Sequence, residues 1–90
     1  MLLILYSKPG CHLCEGLQEK LEQILADPES PCKFDLDVRD ITTQEKWFRA
    51  YQYEVPVLCK QQEDSSEEPL PRPSPRINAK QLETILQKYL

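Results

Sequence analysis

The stretch SKPGCHLC, Ser7 to Cys14, sets two cysteines one helical turn apart, directly after a proline-glycine break. Just upstream, Leu2 to Tyr6 is a continuous apolar run of strand length, as suits a strand buried on both faces of a partly parallel sheet. Downstream, apolar residues recur at Leu13, Leu17, Leu21, Ile24 and Leu25 with Gln, Glu and Lys between them. That spacing predicts an amphipathic helix from His12 to about Ala26, closed by Asp27-Pro28. Cys11 then falls at the helix N-terminus, with Cys14 one turn inside. Unpaired backbone N–H groups and the positive end of the helix dipole favour a thiolate at Cys11.

The same reading extends along the chain. Cys32 to Asp40 alternates, with Phe34, Leu36 and Val38 on one side and Lys33, Asp35, Asp37 and Arg39 on the other, the period of a half-exposed strand. Thr42 or Thr43 can cap a helix carrying Trp47, Phe48 and Tyr51, and Thr42 with Glu45 has capping-box spacing. Val55 to Cys59 reads as a third strand with Pro56 at its start, where a missing N–H harms a ladder least. Gln61 to Pro75 is acidic and proline-rich and reads as loop, with a short fourth strand around Leu70 to Pro73 and a solvated turn at Glu63 to Glu68. Asn78 is a good N-cap for a last helix bearing Leu82, Ile85, Leu86 and Tyr89. The order strand, helix, strand, helix, strand, strand, helix predicts an α/β mixed sheet with helices on both faces.

Ninety residues suffice for one domain, residues 1–90, because two independent cores would each be too small to offset chain entropy. A formal charge of -4 with no run of Lys or Arg excludes the basic stripe that nucleic-acid binding needs. The apolar opening lacks a basic leader and a cleavage pattern, and no stretch is long enough to span a bilayer. These features predict a cytoplasmic protein, or one of the plastid stroma or bacterial cytosol, that needs no membrane. In such a reducing compartment Cys11, Cys14, Cys32 and Cys59 do not read as a disulfide framework.

A C-x-x-C pair at a helix start supports three readings. In the redox reading Cys11 is the nucleophile and Cys14 resolves a mixed disulfide formed on it. In the metal reading zinc wants four ligands, and Cys11, His12 and Cys14 offer at most three crowded ones unless Cys32 and Cys59 converge on them. In the packing reading both are buried small side chains, which the neighbours Gly10, His12 and Glu15 disfavour.

Leu5-Tyr6-Ser7-Lys8, the pair Cys11-His12-Leu13-Cys14 opening a helix, and Glu54-Val55-Pro56-Val57 together resemble glutaredoxins of the thioredoxin-fold superfamily, in particular the small glutaredoxin-like proteins of bacteria and plastid-bearing organisms. The resemblance spans nearly the whole chain. It implies a thioredoxin fold, a four-stranded mixed sheet flanked by three helices in the order βαβαββα, with Pro56 cis and its loop facing the cysteines. It also implies a thiol-disulfide oxidoreductase that reduces protein or glutathione mixed disulfides with no bound cofactor and no metal. Glutathione or a reductase would restore the dithiol, and the chain would act as a monomer. By the same resemblance the Val55 backbone would pair with the substrate main chain, and Lys8 would contact the glycine carboxylate of glutathione.

The family's downstream Gly-Gly, which receives the other end of glutathione, is replaced by Pro73-Ser74-Pro75-Arg76-Ile77-Asn78. Ser74 or Asn78 takes over anion binding at that helix end, or they simply cap it. Arg49 is a further candidate for the glutathione carboxylate, and Trp47, Phe48 and Tyr51 read as core. Two other functions fit the same residues. One is an iron–sulfur module in which Cys11 and glutathione ligate a cluster between two protomers. The other is a non-catalytic adaptor that binds partners through the Val55 edge.

Overall fold

The computed structural model describes residues 1–90. Leu3, Ile4, Leu5 and Tyr6 of β1 (Leu2–Ser7) are all buried, because this strand lies in the middle of the sheet. Successive side chains point to opposite faces, so Leu3 and Leu5 enter one core cluster while Ile4 and Tyr6 enter another. The strand order is β2-β1-β3-β4, with β2 (Asp35–Asp40) parallel to β1, and β3 (Val57–Gln61) antiparallel to both β1 and β4 (Glu67–Pro69). Three helices, α1 (His12–Ala26), α2 (Glu45–Tyr51) and α3 (Ala79–Leu86), complete the βαβαββα order that the sequence predicts.

Leu17, Leu21 and Ile24 of α1 pack with Leu82 and Leu86 of α3 against Leu3, Leu5 and Leu58. The stripe is narrower than the apolar spacing suggests: Leu13 and Leu25 are exposed. Asp27 ends α1 by taking an extended conformation, and its carboxylate accepts from the Glu29 N–H. The last helix starts as predicted. Asn78 Oδ1 accepts from the Gln81 N–H at 2.8 Å, and Gln81 Oε1 accepts from the Asn78 N–H at 2.9 Å, a closed capping box.

On the opposite face α2 covers Ile4, Tyr6, Ile41 and Cys59 with Trp47, Phe48 and Tyr51. The Tyr6 hydroxyl donates to Glu67 Oε1 and accepts from Arg39 Nη1, which also lies 3.5 Å from Glu67. No buried side-chain polar atom is left without a partner.

Four expected boundaries move. The third strand, expected at Val55 to Cys59, runs Val57–Gln61, because the Val55 N–H is taken by the Tyr51 carbonyl and Pro56 has none to give the ladder. The strand expected at Cys32 starts at Asp35; Cys32 and Phe34 are buried but precede the ladder, and Val38 is exposed on the edge strand. The Thr42–Glu45 capping box does not form, because Asp40 caps a 3₁₀ turn (Ile41–Thr43) by accepting from the Thr42 N–H and hydroxyl. Gln44 then precedes α2 without a side-chain cap. The fourth strand is Glu67–Pro69 rather than Leu70 to Pro73, so part of the supposed acidic turn is ladder. No helix is long and apolar enough to cross a membrane.

Candidate functional site

The turn from β1 to α1 places the cysteines. Pro9 holds its own φ, and Gly10 has φ +79°, a left-handed conformation in which an L side chain is strained. The Cys11 N–H closes the turn on the Lys8 carbonyl at 3.2 Å. Cys11 is thereby the N-cap of α1, its Sγ accepting from the Cys14 N–H at 3.2 Å. The two cysteines are joined in a disulfide with Cα atoms 5.2 Å apart, Cys11 half-exposed and Cys14 buried. Cys11 is thus the more exposed residue of the pair.

The Val55-Pro56 peptide is cis. Pro56 lines a groove of about 120 Å³ together with His12 and Leu13, which lie between the cysteines, and with Ser74. The remaining proposed contacts are less concentrated. The Val55 N–H donates to the Tyr51 carbonyl at 3.0 Å, leaving its carbonyl oxygen with no hydrogen bond, and its side chain packs on the α2 face. Lys8 borders a separate recess with Cys14, Glu15 and Asp40, and its ammonium has no ion-pair partner. In that recess the Thr42 hydroxyl and N–H hold the Asp40 carboxyl below the usual carboxylate range.

Asn78 is occupied by its capping box and does not line the groove. Arg49 is exposed and pairs with Glu45 one turn away on α2. His12 is exposed, with Nδ1 3.8 Å from Glu15. Cys32 and Cys59 are buried free thiols in opposite core clusters, so they do not converge on the pair. No group of three His, Cys, Asp or Glu side chains is placed to hold a metal ion.

Two groove residues escape sequence reasoning. Lys20 lies two turns along α1 from Cys14 and donates to the Pro75 carbonyl at 3.0 Å, while Arg72 donates to the Pro56 carbonyl at 3.4 Å. The available signal was slight: Lys20 follows the buried Leu17 by three positions, and Arg72 stands between two prolines.

A half-exposed cysteine capping the first helix, bonded to a buried one and set beside a cis-proline loop on a βαβαββα sheet, defines a thioredoxin-fold protein. The model of the glutaredoxin-like domain (DUF836) matches residues 2–87, and the chain belongs to that family. Among solved structures it is similar to target protein XcR50 from X. campestris, at 27% identity over 96% of both chains with a TM-score of 0.59. Thioredoxin 1 from the thermophilic eubacterium Thermosipho africanus TCF52B shares the fold at 14% identity, covering 99% of this chain and 93% of that one, with a TM-score of 0.64. A malarial protein does so at 13% identity, covering 99% and 96%, with a TM-score of 0.65. No curated protein matches the chain.

Proposed function

We propose that this chain is a thiol-disulfide oxidoreductase that cycles between a Cys11/Cys14 dithiol and the Cys11–Cys14 disulfide. The observation that carries the reading is the pair itself: Cys11 is half-exposed, its Sγ accepts from the Cys14 N–H, and it is bonded to the buried Cys14. The amide hydrogen bond and the helix dipole stabilise negative charge on Cys11 once the disulfide is opened. Family membership and the cis-Pro56 loop support the same chemistry.

In the reductive half-cycle the Cys11 thiolate attacks one sulfur of a substrate disulfide. That bond breaks, and the departing sulfur leaves as a thiolate that takes up a proton. Cys14 gives up its proton and attacks the Cys11 sulfur of the mixed disulfide, forming the Cys11–Cys14 bond and releasing the second substrate thiol. Two electrons pass from the dithiol to the substrate. Glutathione, or a thioredoxin-type reductase, returns them by the reverse exchange.

The substrates in this reading are disulfide-containing proteins or glutathione mixed disulfides, handled by a monomer without bound cofactor in the cytoplasm or plastid stroma. The buried free thiols of Cys32 and Cys59 suit such a reducing compartment.

The test is glutathione-dependent reduction of a small mixed disulfide, coupled to glutathione reductase, for the native chain and for Cys11→Ser and Cys14→Ser. Cys11→Ser is expected to fall to the uncatalysed rate. Cys14→Ser is expected to accumulate a substrate adduct on Cys11, read by intact mass. Undiminished turnover in Cys11→Ser would remove the nucleophile from the reading. If the native chain is inactive with glutathione but active with a thioredoxin reductase, the dithiol cycle stands and glutathione is replaced as reductant.

A further inference from the structure

Resting on the oxidoreductase reading, we infer that the groove lined by His12 and Leu13, the two residues between the cysteines, selects a polypeptide disulfide flanked by carboxylates, which the side chains of Lys20 and Arg72 recognise. The charge pattern is local and runs against the molecule as a whole. The chain carries 15 acidic residues against 11 Lys and Arg, yet the groove is lined by Lys20, Arg72 and His12 and by no Asp or Glu.

Neither groove cation has a carboxylate partner. Lys20 and Arg72 meet only the carbonyls of Pro75 and Pro56. A carbonyl orients a cation without neutralising it, so both retain charge to offer a substrate anion. Such charge-assisted bonds are about twice as strong as neutral ones.

Several backbone N–H groups of the loop are already engaged. Pro73 and Pro75 have no N–H, the Arg76 N–H is taken by Ser74 Oγ, and the Ile77 N–H by the Ser74 carbonyl. Asn78 and Gln81 consume each other's N–H groups in the capping box.

The occupant is a polypeptide rather than a tripeptide, because the surface continues. Pro56, Arg72 and Pro73 also wall an adjoining recess lined further by Tyr53, Glu54 and Leu70. Tyr53 is 91% exposed, an apolar platform for a chain that runs on past the cis proline. Arg72 lies between the two recesses, where a residue flanking the substrate cysteine would pass.

The experiment uses the reduced native chain in single-turnover reactions with three peptides, each closed by one disulfide and differing only in flanking Glu, Gln or Lys. The Glu peptide is expected to react about tenfold faster than the Gln peptide at low ionic strength, and within about twofold of it at 1 M salt. Arg72→Gln and Lys20→Gln should each shrink that preference, read as the ratio of the Glu to the Gln peptide rate in the same variant, about threefold. Arg76→Gln, an equal charge change outside the groove, should leave the preference intact.

Equal rates on the Glu and Lys peptides, or a preference that survives in both variants, would overturn the inference while leaving the oxidoreductase reading in place. A parallel loss on a glutathione mixed disulfide in Arg72→Gln would overturn the polypeptide assignment in favour of glutathione. Failure of the native chain to reduce any of the three peptides would overturn the reading itself, and the inference with it.

Discussion

Leu3 and Leu5 leave one face of β1, Ile4 and Tyr6 leave the other, and the two pairs meet different kinds of neighbour. Toward α1 and α3 the contacts are aliphatic, a cluster of Leu and Ile with Cys32 and Phe34. Toward α2 they are aromatic and charged. Tyr6 packs edge-on to Trp47 at 5.7 Å and against Tyr51 at 4.5 Å, and the Arg39 guanidinium lies 5.6 Å from the Tyr6 ring and 5.2 Å from that of Trp47. The first face needs only apolar surface of the right volume, since burial is non-directional. The second needs β1, β2 and β4 each to deliver one group, and α2 two, at set angles. Stability on the aliphatic face should therefore scale with volume, and on the other with hydrogen bonds and ionisation.

The largest effect expected is on the aliphatic face. Leu21 is fully buried, and Leu21→Ala should lower unfolding free energy by about 3 kcal/mol through lost burial and a residual cavity, measured by urea denaturation. A loss below about 1 kcal/mol would mean that this face is loosely packed and the contrast mistaken.

Next comes ionisation on the α2 face. Burial, and then Glu67, push the Cys59 thiol from 9.0 up to about 11, so the folded state keeps its proton where the unfolded chain has lost it. Stability from this thiol is fully present below pH 9 and is lost as the pH climbs through about 11. Burial also raises Tyr6 and Tyr51, which steepens the alkaline loss above pH 10. Denaturation curves at pH 7, 9, 10 and 11 should show the native chain losing about 2 kcal/mol more over that range than Cys59→Ala. Parallel curves would show that Cys59 does not titrate with folding.

The smallest effect sharpens the comparison further. Tyr6→Phe keeps the ring and removes the hydroxyl that bridges Arg39 and Glu67. Because those two already approach each other at 3.5 Å, the cost should be about 1 kcal/mol rather than the several expected for orphaned buried charges. A loss of 3 kcal/mol or more would make the hydroxyl the keystone of the face, not a bridge across an existing ion pair.

The same division governs what could be read in advance. The β1 run, the α1 helix, the Asn78 cap and the Cys11/Cys14 pair are written in neighbouring residues and were legible from spacing. Val38 matched the strand period yet is exposed, because an alternating pattern shows which side a residue faces but not whether anything covers it. Thr42 and Glu45 had the right spacing for a cap, but Asp40, two residues earlier, captured the Thr42 amide first. Glu67 looked like part of a solvated turn; its role depends on Tyr6, 61 positions away. In the candidate site the cysteines were legible and the groove was not. Lys20 and Arg72 are ordinary surface residues in sequence, brought to one groove only when the loop before α3 docks against α1.

What the amino-acid order determined by itself was local: where helices and strands run, which cysteine caps a helix and which lies one turn inside. Those outcomes follow from backbone geometry and apolar period, which act over a few residues. The tertiary structure decided the rest: the extent of β4, the Arg39–Tyr6–Glu67 bridge, and a cationic groove on an acidic chain. Each of these joins segments far apart in the chain, and their meeting is set by sheet register and helix docking, which no local pattern specifies.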